Sequence, residues 1–163
     1  EAPAGAGGAL VACGMGMYAS ATGAFTDAIA LPAPPRGWWS CRFDAAGRLY
    51  ATGSGELWTA ASLTAATTAA GWQRIATPLD GAELVSALPL GDQLWLGGGV
   101  VDIGASIGAR SGLYRSADGG RTWIAMHGAM WPSHTVWQLH AGRDARELFV
   151  ALWGGGLWRA TLR

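Results

Sequence analysis

The side chains able to do chemistry in this chain are acids, histidines, cysteines and a large set of tryptophans. Hydrolysis of a glycosidic bond needs two carboxyl groups a few ångströms apart in a cleft. The acids that bear on this are Asp44, Asp80, Glu83, Asp92, Asp102 and Asp144. The three histidines, His127, His134 and His140, and the two cysteines, Cys13 and Cys41, offer no zinc-site spacing, so no metal is expected. Two readings of the cysteines stay open: a disulfide in an oxidising compartment, or two buried thiols. Trp38, Trp39, Trp131 and Trp153, with His127 and His134 near them in sequence, could stack on sugars or fill an interface. Residues 97–111, GGGVVDIGASIGARS, combine Val100, Val101, Ile103 and Ile107 with Asp102 and Arg110. An apolar stretch of that kind suits docking on a partner, or folding back over its own sheet. His140 falls in an apolar strand and reads as a core histidine.

The elements that must hold these residues follow from composition. At 163 residues the chain is about one domain, large enough for a real core. Half of it is hydrophobic and only 13% charged, with eleven basic residues against eleven acidic ones. A net charge of zero gives no electrostatic case for nucleic acid or an anionic membrane. Every basic residue is Arg, which reads as compositional bias. Twenty-six Gly and ten Trp suit many short strands joined by tight turns, not long helices. Apolar runs break well short of about 20 residues, so no membrane span is expected.

The chain also repeats. LVACGMGMYASA at 10–21 matches LYATGSGELWTA at 49–60. LWLGGG at 94–99 continues, past the insertion, into GLYRSA at 112–117, and LFVALWGGGLWRAT closes the series at 148–161. Tyr18, Trp58, Tyr114 and Trp158 hold one equivalent position, 40, 56 and 44 residues apart. A strand and a Gly/Asp turn precede each pair, as in WWSCRFDAAGRLY, LVSALPLGDQLW and VWQLHAGRDARELF. A Trp-led strand follows, as in GWQRIA and RTWIAM. One unit is four strands, A to D, in about 40 residues, the signature of a β-propeller blade.

Within the third unit, residues 116–123 read SADGGRTW. This resembles the Asp-box, or BNR repeat, with Ser116, Asp118, Gly120, Thr122 and Trp123 matching the pattern Ser-x-Asp-x-Gly-x-Thr-Trp. The resemblance implies an all-β fold, a β-propeller of four-stranded antiparallel blades, with the motif in the turn between strands C and D. It also implies a structural role: Asp118 accepts backbone N–H groups of its own turn, the glycines take positive φ, and Trp123 packs beneath. The TAASLTAATTAAGW stretch at 59–72 keeps the Trp alone, and SATGAFTDAIA at 20–30 reads as keeping neither Asp nor Trp.

Blade boundaries fall near 8–35, 36–80, 81–130 and 131–163, within one domain over 1–163. The first unit lacks strand A and the last lacks strand D, giving three and a half to four blades. A ring of that size closes as a small disk, with a second copy or another chain, or as part of something longer. Blade geometry puts the B–C loops and D–A connections on one face. The candidate binding face is therefore Trp38, Trp39, Asp102, Ile103, Ile107, Arg110, Trp131, His134 and Trp153. Asp44, Asp92 and Asp144 belong to the opposite face.

Three function classes compete. A sialidase-type hydrolase would need an arginine triad and a Tyr–Glu pair, but all three Tyr sit at repeat positions. A lectin would need equivalent Trp pockets, whereas the loops differ from blade to blade. A non-enzymatic scaffold docking on a protein partner, or on a second copy that closes the ring, needs only a rigid disk and an interface. Low charge, the apolar insertion and the incomplete ring favour it. No cofactor is expected. The opening EAPAGAGG reads as the start of a processed chain, which places it outside the cell or in the periplasm.

Overall fold

The computed structural model describes residues 10–13, 16–20, 22, 25–32, 40–100, 111–126, 128, 135–143 and 146–162. Among them, short strands separated by glycine turns build four antiparallel sheets. The first holds β1 (Leu10–Cys13), β2 (Met17–Ser20) and β3 (Ile29–Ala30). The second holds β4 (Ser40–Phe43), β5 (Leu49–Gly53), β6 (Glu56–Ala60) and β7 (Trp72–Ile75). The third holds β8 (Leu84–Leu90), β9 (Gln93–Gly99), β10 (Gly112–Ser116) and β11 (Ile124–Ala125). The fourth holds β12 (Val136–Ala141), β13 (Glu147–Leu152) and β14 (Gly156–Thr161). Each sheet is a meander whose spatial order is its chain order. The one α-helical turn among the described residues, α1 (Leu63–Ala66), fills the β6–β7 connection, with Ser62 accepting the Ala65 N–H at its N-cap.

The sequence repeat is a register repeat. Leu10, Leu49, Leu94 and Leu148 stand opposite Ser20, Ala60, Ser116 and Ala160. Two residues on, Ala12, Ala51, Leu96 and Val150 face Tyr18, Trp58, Tyr114 and Trp158. One step further, Cys13, Thr52, Gly97 and Ala151 face Met17, Leu57, Leu113 and Leu157. The aromatic position named from sequence is therefore one place in four sheets.

Period-two alternation sends successive residues to opposite faces, and both faces of the middle sheets are covered. Leu49 and Ala51 meet Met17 and Ala19 of the first sheet, with Trp58 packed against them. Their neighbours Tyr50 and Leu57 meet Val85, Leu94 and Leu96 of the third. Trp95 and Leu113, on the other side of the third sheet, meet Leu148, Val150 and Leu152 of the fourth. These interfaces are the core. Packing runs along the chain, β1 on β4, β4 and β5 on β8, and β8 and β9 on β12, with no comparable packing between the first and fourth sheets. Among the described residues the four sheets are consistent with successive propeller blades, and no closed ring is formed.

Closest approach occurs between the third and fourth sheets. A Cβ placed on Gly97 would lie 2.4 Å from Val136 Cγ1 and 2.8 Å from Val136 Cβ. The glycine is there because β12 leaves no room for a side chain.

Candidate functional site

Two ends of the sheets differ in what they offer. At one end lie the β4–β5 turn, the β8–β9 turn and the SADGG turn; Asp44, Asp92, Gln93 and Gly119 border one small cleft. Asp44 spends a carboxylate oxygen on the Ala46 and Arg48 N–H groups of its own turn, each at 2.9 Å.

The Asp118 turn is densely bonded within itself. Its Oδ1 accepts the Arg121 and Thr122 N–H groups at 3.0 and 2.9 Å and the Ser116 hydroxyl at 2.7 Å. Its Oδ2 accepts the Thr122 hydroxyl at 2.6 Å. Ser116 Oγ in turn accepts the Gly120 N–H at 2.8 Å. Gly119 and Gly120 hold φ of 73° and 92°, which side-chain-bearing residues rarely adopt. The Trp123 indole N–H reaches back 3.0 Å to the Ala76 carbonyl, just past β7 of the second sheet. The Thr122 hydroxyl and N–H hold the Asp118 carboxyl far below the usual carboxylate range. A group held that firmly ionised is a poor proton donor, and its partners all belong to its own turn.

The first sheet carries a rearranged version that sequence reading missed. Asp27 accepts the hydroxyls of Ser20 and Thr22, and Ser20 holds the register position of Ser116. Here the acid follows the threonine instead of preceding it, so a fixed-order pattern passes over it. These hydroxyls hold the Asp27 carboxyl below its ordinary value. In the second sheet α1 replaces the turn, and the Trp72 indole N–H donates to the Ala66 carbonyl at 3.0 Å. Trp72 pairs with Ala60, and Trp123 precedes the Ile124 that pairs with Arg115. The two tryptophans therefore occupy equivalent positions.

At the other end, the Trp153 N–H donates to the Thr135 carbonyl at 2.9 Å, and the Thr135 hydroxyl to the Val100 carbonyl at 3.0 Å. Trp153 is the described member of the expected binding face. It is exposed, not inter-sheet core, and stacks on Trp137 with ring centroids 4.9 Å apart and planes 28° apart. Trp38, Trp39, Asp102, Ile103, Ile107, Arg110, Trp131 and His134 lie outside the described residues, as do His127 and Asp144.

The outward face of the fourth sheet continues from that aromatic pair. Leu157 is 68% exposed, whereas its register equivalents Met17, Leu57 and Leu113 are 1%, 0% and 4% exposed beneath the next sheet. His140 is also exposed there, which corrects its reading as a core residue: it pairs with Phe149 on the uncovered side.

Asp80, one of the acids considered for hydrolysis, is engaged like Asp44 in local bonds. Asp80 accepts the Thr77 hydroxyl and bridges Arg74 at 3.2 Å, and Arg74 also meets Glu56 at 3.5 Å. Glu147 meets Arg159 at 3.6 Å. Cys41 is disulfide-bonded, and no free cysteine stands among the described residues. Among those residues no helix is long and apolar enough to cross a membrane, and no cluster of three potential metal ligands occurs.

No family model matches the sequence, and no curated protein matches it. Solved structures do. PorZ, an essential surface component of the type-IX secretion system of Porphyromonas gingivalis, superposes with a TM-score of 0.68 at 13% identity, over 98% of this chain and 24% of PorZ. A GH74 xyloglucanase from Xanthomonas campestris gives 0.63 at 20% identity, over 97% of this chain and 23% of the enzyme. The extracellular domain of the B. thetaiotaomicron protein BT4673 gives 0.50 at 11% identity, over 95% and 26%. The chain thus spans about a quarter of each. Identities this low carry the fold alone: an all-β chain of propeller-like sheets, similar to surface and extracellular bacterial domains.

Proposed function

We propose that this chain is an Asp-box β-propeller unit, its blades spanning about 8–35, 36–80, 81–130 and 131–163, that works without catalysis as a scaffold. It docks on a partner protein. The observation that carries this reading is the side of the fourth sheet that no described sheet covers, where Trp137, Trp153 and Leu157 are all exposed. Exposed large apolar side chains gathered on one face mark interaction sites. The likeness to a secretion-system surface component supports the reading by fold only. A location outside the cell or in the periplasm agrees with the disulfide-bonded Cys41, whose partner we take to be Cys13, the only other cysteine in the sequence.

The test is site-specific photo-cross-linking in the producing cell, with the reactive residue at 137 or 157 and, as control, at 121 in the Asp118 turn. Discrete protein adducts from 137 and 157, and none from 121, are expected. Absence of protein adducts from both positions would refute the docking reading.

The stacked Trp137–Trp153 pair also favours a second reading, carbohydrate binding, because exposed indole faces stack on sugar rings. A glycan array separates the two: saturable glycan binding lost in Trp153→Ala would replace the scaffold by a lectin. The xyloglucanase likeness makes xyloglucan and fluorogenic glycosides the substrates to assay for the hydrolase alternative.

A further inference from the structure

The interfaces between successive sheets are not built alike. The third meets the fourth through leucine, valine and tryptophan, with no alanine in the described cluster. The Leu139 N–H also crosses there to the Ser86 hydroxyl at 3.2 Å. The first meets the second through Met17, Leu31, Leu49 and Trp72, but the other half of that cluster is alanine: Ala19, Ala51, Ala60 and Ala66. A buried methyl removes far less apolar area from water than a leucine side chain, so this interface gains least from burial. It is also the interface with a covalent tie. Cys41 lies in β4, packs against this cluster and is disulfide-bonded. With Cys13, the other cysteine of the sequence, at the end of β1, the bridge joins the first sheet to the second.

The surroundings of Cys41 favour opening the bridge. The residue is only partly buried. The Arg42 guanidinium turns back and donates to the Cys41 carbonyl at 2.9 Å. A cation held beside a cysteine stabilises its thiolate, and a more stable thiolate leaves faster in thiol–disulfide exchange.

We propose that this disulfide is a reducible latch with the Cys41 thiolate as leaving group, and that its reduction frees the first sheet from the second while the other sheets stay packed. The reductant is a dithiol. One of its thiolates attacks the Cys13 sulfur, the S–S bond breaks, and the electron pair leaves on Cys41. Its second thiol then displaces Cys13, and the reductant departs as a disulfide. The two electrons and two protons it has lost now rest on the two cysteine thiols. Leu49 and Ala51, which meet Met17 and Ala19, are the apolar surface uncovered. The opening lies between two described sheets and does not depend on what stands outside them.

Dithiothreitol is the test reductant, used on the full chain at neutral pH under native conditions. Thiol release is expected at a rate proportional to its concentration. Arg42→Gln slows that release several-fold, and Arg42→Lys restores it. On reduction, amide exchange in β2 speeds up on the order of 10²-fold, the loop-closure entropy of a cross-link across roughly 30 residues. Exchange in β12 and β13, whose opening leaves that loop untouched, keeps its rate. Cys41→Ser exchanges like the reduced wild type, with or without dithiothreitol. Equal acceleration in the first and fourth sheets makes the bridge a staple of the whole fold and overturns the latch. So does thiol release indifferent to dithiothreitol concentration, because reduction then waits on unfolding. An unchanged release rate in Arg42→Gln overturns it as well.

Discussion

Gly97→Ala is the sharpest test of how the last two sheets meet. The new methyl would sit 2.4 Å from Val136 Cγ1, 2.8 Å from Val136 Cβ and 3.4 Å from Leu139 Cδ2. Val136 and Leu139 are 0% and 1% exposed, so neither can turn into solvent. Gly97 has no positive φ, so the methyl itself is conformationally free and would narrow the unfolded chain by about 0.4–1 kcal/mol. Overpacking in a dense core costs about 1–3 kcal/mol, and the clash here is at its severe end. The net is a loss of roughly 2–2.5 kcal/mol, or a fall in Tm of about 4–10 °C for a chain of this size. Thermal and urea unfolding followed by far-UV circular dichroism measures it. Val136→Ala removes the nearer contact but leaves the Cβ. The double variant should therefore recover part of the loss, with a coupling of about 0.5–1.5 kcal/mol. An unchanged Tm in Gly97→Ala, or additivity of the two substitutions, would refute the close approach of β9 and β12.

Two further outcomes follow from features elsewhere in the molecule. Asp118 has a folded pKa well below its ordinary 3.8. Its contribution to stability is therefore full above that ordinary value and is lost as pH falls toward the folded value, because unfolding then takes up a proton. Acid unfolding of the wild type should steepen below about pH 4 and flatten in Asp118→Asn; parallel curves would contradict the hydrogen-bonded turn. Cys41→Ser, or reductant on the wild type, should lower stability by roughly 3 kcal/mol through loss of a cross-link between the first two sheets. A melting curve indifferent to reductant would count against the bridge.

Much of the architecture was legible because each sheet repeats the same alternation at the same register. The aromatic at 18, 58, 114 and 158 could be aligned by eye, and the pairing places all four opposite the same strand position. The SADGGRTW turn was legible for a different reason: all its bonds are local, so a few adjacent residues encode it. Asp27 escaped because the same hydroxyl–carboxylate geometry was reached with the residues in another order. Exposure was the least legible property. Leu157 and His140 look like core residues by strand pattern, and their chemistry cannot tell that no described sheet lies over them. The Trp137–Trp153 stack was hidden too, since a bulge between Val136 and Gln138 interrupts the ladder beside Trp137 and no local motif announces it.

Because each sheet packs on the one before it and the one after it in the chain, cohesion in this molecule is a series of nearest-neighbour bonds. Among the described residues the second and third sheets are held on two sides, the first and fourth on one. Opening should therefore begin in the first and fourth sheets and travel inward, with amide protection highest in the second and third. Most of the contacts that guide folding join residues within one or two repeats, so a partial arc can form while the rest of the chain is still being made.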